Sequence, residues 1–140
     1  MRVVLDTNVL VSGVFFKGAP FEILQAWHRD QFQLRLSPEI ILEYEAVLQR
    51  LRDQFPGVDA LGILAVVVSN AEVIDAPPLE EQVSADPDDD KFIACAVAAG
   101  ARFLLSGDRD LLDVEAYGRV RIVKPRAFLD AHIHPSRRES

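Results

Sequence analysis

The sequence predicts an α/β fold, a three-layer α/β/α sandwich around a mainly parallel sheet of about five strands. Three observations predict it. Short apolar runs alternate with longer stretches of helical periodicity along the chain. The first and fourth runs, Val3-Val4-Leu5 and Phe103-Leu104-Leu105, are continuously apolar, as strands covered on both faces are. Each of these two runs leads into an acid, Asp6 and Asp108. Open parallel sheets bind their ligands at the carboxyl ends of such strands.

The elements follow in order. Residues 2–6 form the first strand, a β-branched run closed by Asp6-Thr7-Asn8. A short helix over 8–15 is weakened by Gly13. Pro20 suits the first turn of a second helix over 20–29, with Phe21, Leu24 and Trp27 on its apolar side. Phe32, Leu34 and Leu36 alternate through the second strand, 32–36. Ser37-Pro38 starts the next helix, Ser as N-cap and Pro at the first helical position, and it runs to about 51. Pro56-Gly57 breaks it, and a helix covers 58–68. A third strand lies at 72–74. Residues 75–89 are acidic and proline-bearing, a surface connection. A helix from 87 to 99 ends at Gly100, its C-cap. The fourth strand is 102–106, a helical turn follows at 108–113, a fifth strand lies near 120–123 and a last helix near 125–131. The reading is a single domain over 1–131 and a polar tail over 132–140.

Composition sets bounds. The chain has 140 residues with 49% hydrophobic, enough for one continuous core. Its one cysteine, Cys95, forbids an intrachain disulfide and reads as a small core residue. No apolar run reaches the ~20 residues of a membrane span, and the start shows no secretory h-region. The expectation is a soluble, cytoplasmic protein with no membrane partner. A net charge of −7 argues against binding nucleic acid by bulk electrostatics. Basic residues gather late, at Arg119, Arg121, Lys124, Arg126, Arg137 and Arg138, where a positive patch and a scattered solvated surface are equally compatible with the pattern.

Among many acids, helical phase selects the candidates. Counting about 100° per residue from Asp90, Ala94 falls near 40°, Val97 near 340° and Ile93 near 300°. Asp90 thus shares a face with apolar residues, read as the inward one. Asp88 and Asp89 then read as solvated first-turn acids and Asp86 as the N-cap. In the helix after Pro38, Glu43 lies roughly 80° from the apolar centre, and Glu39 and Glu45 roughly 120°. Asp6 and Asp108 follow strand ends. The four candidates are therefore Asp6, Glu43, Asp90 and Asp108, supported by Thr7, Asn8, Ser106 and Asp110. Asp110 reads as a water-mediated ligand or as a cap for the next turn. His28 reads as a helix-end residue, and His132 and His134 as solvent-facing. Neither a Walker-type glycine loop nor a Gly-x-Ser-x-Gly elbow occurs.

Four acids at one sheet edge repel one another unless a cation lies among them. Oxygen-only ligands select hard ions, Mg²⁺ or Mn²⁺. Such ions activate water and stabilise charge in phosphodiester hydrolysis. In sequence, Val4-Leu5-Asp6-Thr7-Asn8-Val9-Leu10, Ser37-Pro38-Glu39-Ile40-Ile41-Leu42-Glu43-Tyr44, Asp86-Pro87-Asp88-Asp89-Asp90-Lys91-Phe92 and Leu104-Leu105-Ser106-Gly107-Asp108-Arg109-Asp110-Leu111-Leu112 stand in order. With these four segments the chain resembles the PIN-domain ribonucleases, in their toxin–antitoxin toxin branch, over residues 1 to about 130. The resemblance implies a Mg²⁺- or Mn²⁺-dependent endoribonuclease with its acids at Asp6, Glu43, Asp90 and Asp108. It also implies an RNA substrate, a homodimer and a small antitoxin partner. Ser106 stands where many relatives carry Thr, and keeps the hydroxyl.

Three other readings compete. A receiver-type phosphoacceptor domain shares the doubly wound fold, and Lys124-Pro125 imitates its lysine. It needs paired acids after the first strand, where this chain has Asp6 alone. A non-catalytic PIN-like binding module would keep the acids for structure. A metal phosphatase acting on small molecules would use the same acids. Val58, Leu61, Leu64, Ala65 and Val68 read equally as a dimer face or as core.

Overall fold

The computed structural model describes residues 1–134. Residues 135–140, which include Arg137, Arg138 and most of the expected tail, lie outside the described residues. Parallel strands β1 (Arg2–Leu5), β2 (Gln33–Leu36), β3 (Glu72–Val73), β4 (Phe103–Leu105) and β6 (Val120–Val123), with β5 (Ala116–Tyr117) antiparallel at one edge, make one sheet of order β3-β2-β1-β4-β6-β5. The five expected strands are present. The sixth, β5, is a two-residue return paired to β6 across Gly118. Two residues carry no readable period, so the sequence gives no sign of it.

The chain steps outward from β1 to β2 to β3, then returns to β4 on the other side of β1. Right-handed crossovers therefore place the helices before β3 on one face and the helix that links β3 to β4 on the other. The former are α1 (Thr7–Phe15), α2 (Ala19–His28), α3 (Pro38–Leu51) and α4 (Ala60–Asn70). The latter is α5 (Asp90–Ala99), which packs on β1, β2 and β4, while the short helix after β6 returns to the first face, against α2. Short helices α6 (Arg109–Leu112) and α7 (Pro125–Phe128) follow β4 and β6, and α7 runs into a wider π-type turn, Leu129–Ile133. No single helix among the described residues is long and apolar enough to cross a membrane.

Local chemistry sets the boundaries. The Ser37 hydroxyl accepts from the Ile40 amide, capping α3. Asp86 accepts from the Asp88 amide and caps a 3₁₀ turn, Pro87–Asp89, that leads into α5. Gly100 ends α5 in the left-handed conformation, φ 64°. Gly13 is expected to weaken α1, but its position explains it. A Cβ there would lie 2.7 Å from Leu24 Cδ1 and 2.9 Å from the Pro20 carbonyl, so glycine lets α2 close onto α1.

The core is one cluster centred on Val3, Val4, Leu5, Leu34, Leu36, Leu104 and Leu105, flanked by Ile40, Tyr44, Phe92, Ile93 and Phe128. Cys95 is fully buried in it, and burial pushes its thiol up to about 11, as for an inert core residue. His132 is exposed, as expected, with its ring centroid 4.7 Å from that of Phe103 and 5.2 Å from that of Phe128. Leu64 and Val67 of α4 face the core, with Leu61 and Val68 packed against it, while Ile63 and Val66 are exposed. Core packing thus accounts for most of the apolar residues read on that helix.

Tyr44 is fully buried, and its hydroxyl donates to the Leu5 carbonyl at the end of β1. Tyr44→Phe should cost about 1 kcal/mol. Urea unfolding that shifts the midpoint without changing the slope would report it.

Candidate functional site

The strand order reverses between β1 and β4, and a crevice opens beyond their carboxyl ends. Asp6 follows β1 directly. Its amide donates to the Leu105 carbonyl at 2.9 Å, so the main chain itself ties the two strand ends together. The Asp6 side chain is buried, 4% exposed, and accepts the Ser106 hydroxyl at 2.6 Å. The Asp108 amide donates to that same hydroxyl at 2.9 Å. Ser106 thus holds the acid after β1 in register with the loop after β4. Burial lifts the Asp6 carboxyl above the usual range. The Ser106 hydroxyl and the Asn8 amide pull it back, and the charges of Asp108 and Glu43 raise it further.

Glu43 reaches this edge from the second turn of α3. The Thr7 hydroxyl donates to its Oε2, and Lys91 Nζ lies 2.6 Å from its Oε1. Thr7 is buried beside Asp6, and Asn8 is exposed on the rim. Asp108 caps α6 by accepting the Asp110 amide at 3.1 Å. Three acids, Asp86, Asp89 and Asp110, have carboxylate oxygens within 4.8 Å of one another, an arrangement able to hold a metal ion.

The structure does not bring Asp90 to the cluster. Both its oxygens are taken by main-chain amides, from Val83 at 2.9 Å and Ser84 at 2.8 Å. The acid that meets Asp108 is Asp89, which is buried. The expected phase fails for a physical reason. Helix α5 is apolar nearly all round, so hydrophobicity alone does not fix its inward face. Its most buried residues, Phe92, Ile93, Cys95 and Ala96, centre on the face opposite Asp90, and Val97, expected inward, is 47% exposed. In the same count Asp89 falls at about 260°, between Ala96 and Ile93. The side of Ala94 faces the connection before α5, whose Pro78 and Leu79 line a pocket together with it.

Asp89 is the most perturbed carboxyl of the edge, raised to about 8. Burial is the main cause, then the hydrogen bond to Asp108, then the charges of Asp108, Asp6 and Asp86. The Asp89 Oδ2 atom is buried and has no hydrogen-bond partner among the described residues. A buried, unsatisfied carboxylate oxygen among all-oxygen neighbours fits a hard cation. Lys91 and Asp89 are the residues that sequence reasoning missed. A lysine directly after three aspartates was the available signal for Lys91.

A model of the PIN domain family matches residues 2–110. Among solved structures, the chain resembles PAE2754 from Pyrobaculum aerophilum with a TM-score of 0.60 and 20% identity, over 94% of this chain and 88% of that one. It also resembles VapBC2 from Rickettsia felis, solved bound to a DNA fragment from their promoter, with a TM-score of 0.58 and 14% identity, over 87% of this chain and 97% of that one. A comparison with curated proteins finds no match. The two structural likenesses bear on the fold.

Asp6 and Asp89 keep their protons to higher pH in the folded state than in the unfolded chain. The folded state then binds more protons between about pH 4, the ordinary carboxyl value, and about pH 8, so stability falls as pH rises through that window. Thermal melts in EDTA should show Tm dropping from pH 5 to pH 8, and added Mn²⁺ should recover most of the loss. Asp89→Asn should flatten the profile. Asp90→Ala should lower stability by about 1–3 kcal/mol, through two orphaned amides.

Proposed function

The chain belongs to the PIN domain family, and on that premise we propose that it is a divalent-metal-dependent endoribonuclease. It cleaves single-stranded or structured RNA with metal-activated water and acts as the toxin of a toxin–antitoxin pair. One observation carries this reading. Carboxylates from separate segments, Asp6, Glu43, Asp89 and Asp108, converge on the carboxyl edge of the sheet, and one buried oxygen of Asp89 has no partner among the described residues. Asp6, Asp89 and Asp108 would hold Mg²⁺ or Mn²⁺, with Asp86 and Asp110 at the mouth and Glu43 on the rim.

When bound, such an ion lowers the pKa of water and stabilises charge on the transferring phosphoryl group. The chain's own residues do the positioning. Ser106 orients Asp6 and fixes the loop that carries Asp108. Thr7 and Lys91 hold Glu43 by its two oxygens. The Lys91 ammonium, half-buried beside the acids, is placed to meet a phosphate oxygen of the substrate as well. Asn8, exposed at the start of α1, offers an amide to the sugar-phosphate backbone.

The antitoxin and the cytoplasmic setting belong to the same reading. VapBC2, a structural neighbour, was solved bound to promoter DNA, which supports a regulatory partner for this chain. Leu42 of α3 and Ile63 and Val66 of α4 are exposed apolar residues that a second copy of the chain would cover in a homodimer.

Purified protein should cleave a mixed-sequence single-stranded RNA with Mg²⁺ or Mn²⁺, and EDTA should stop it. Asp6→Asn and Asp89→Asn should each lower the rate by ~100-fold or more. Asp90→Asn should retain cleavage within about 10-fold, because its carboxylate serves the connection before α5. A dead Asp90→Asn protein beside an active Asp89→Asn protein would reverse the assignment. Intact RNA in every metal-containing reaction would return the chain to a binding module.

A further inference from the structure

At the amino edge of the sheet, away from the acids, a cleft of about 800 Å³ is lined by Arg2, Arg102, Arg119 and Tyr117 over a floor that includes Val97 and Val120. No carboxylate among the described residues lines it. We propose that this cleft is a second binding site, one that holds the phosphodiester backbone of single-stranded nucleic acid outside the acid cluster.

Topology assembles the cleft. Arg2 opens β1, Arg102 precedes β4, and Arg119 lies in the turn from β5 to β6, so parallel strands bring three guanidinium groups to one edge. Arg121, exposed on β6, pairs in register with Phe103 beside Arg102 and adds a fourth cation nearby. Arg102, Arg119 and Arg121 make no ion pair among the described residues. In a chain of net charge −7, cations left unpaired around a concave surface point to an anionic ligand.

The cleft is partly set in place. Arg2 donates to the Ala99 carbonyl at 3.2 Å, and Arg102 lies over the Phe103 ring at 5.9 Å. Gly100 and Gly118 line the cleft with φ of 64° and 58°, conformations that leave main chain open to a ligand. Guanidinium groups match phosphate oxygens in paired hydrogen bonds. The Tyr117 ring, half-buried, supplies a face on which a base stacks, which an acidic peptide would not use. These features favour a nucleic acid over an acidic protein segment. Asp6 lies about 13 Å along β1 from Arg2, so a phosphate held here is not the one at the acids. A flank of a longer strand, or a separate strand, occupies the cleft.

Fluorescence anisotropy of a labelled, mixed-sequence single-stranded RNA tests this, with Asp89→Asn protein in EDTA so that no cleavage intervenes. Arg102→Gln with Arg119→Gln should weaken binding about 10-fold or more and reduce the salt slope by about 1.4, two phosphate contacts' worth. Tyr117→Leu should weaken it several-fold more. Both arginines are exposed, so circular dichroism and thermal melts should match the parent, and the Arg119→Gln single variant should give an intermediate loss. Unchanged affinity and slope in the double variant would overturn the proposal. So would polyglutamate binding the parent as tightly as RNA in an arginine-dependent way. The measurement does not depend on nuclease activity, so arginine-dependent binding by a protein that cleaves nothing would retain this site and remove the proposed function.

Discussion

The structure turns on one buried contact, the Asp6 carboxylate against the Ser106 hydroxyl at the point where the strand order reverses. An acid so enclosed is costly in its charged form. It persists because the main chain after β1 and β4 is already paired, through the Asp6 amide and the Leu105 carbonyl, and because Ser106 offers its hydroxyl from the adjacent strand end. The same hydroxyl receives the Asp108 amide, which aims the second acid into the crevice. Tyr44 adds a third tie by donating to the Leu5 carbonyl from α3, the helix that brings Glu43. The acid cluster is therefore a consequence of how β1, β4 and α3 are fastened, and its burial, with mutual repulsion added, raises the carboxyls of Asp6 and Asp89.

How much of this was legible follows from how strongly each feature is written. Strands β1 and β4 are continuous apolar runs ended by acids, and α3 opens on Ser37-Pro38. Such signals are local and unambiguous, so the parallel sheet and two of the acids can be read directly. Asp89 could not be. Phase within a helix can be read only where one side is polar, and Phe92 to Ala99 has no polar side. What settles the orientation is the connection before α5, whose Val83 and Ser84 amides fasten to Asp90 and whose Pro78 and Leu79 lie across a pocket from Ala94. That is a tertiary effect, and no window of sequence contains it. Strand β5 escaped for a simpler reason, being two residues long.

Charge is sorted between the two edges of the sheet. Acids follow the strands at Asp6 and Asp108, and arginines precede or open them at Arg2, Arg102 and Arg119. The net charge of −7 does not report where these groups lie. The late basic residues noted in sequence also divide. Arg119 and Arg121 lie toward the amino edge, whereas Lys124 and Arg126 follow β6 at the carboxyl edge, where Arg126 pairs with Glu22 at 2.8 Å.

The Glu43–Lys91 pair shows what an ion pair can do without adding much stability. Both side chains are more than a quarter exposed, and pairs in such surroundings contribute about 1 kcal/mol at most. Its value lies in direction. Glu43 comes from a helix rim, where a long side chain has many rotamers, and it must be aimed at the sheet edge. Thr7 from the turn after β1 and Lys91 from the start of α5 each take one of its oxygens, so the carboxylate is held between two elements on either side of the crevice. A lysine in that place also lowers the local excess of negative charge at the acids.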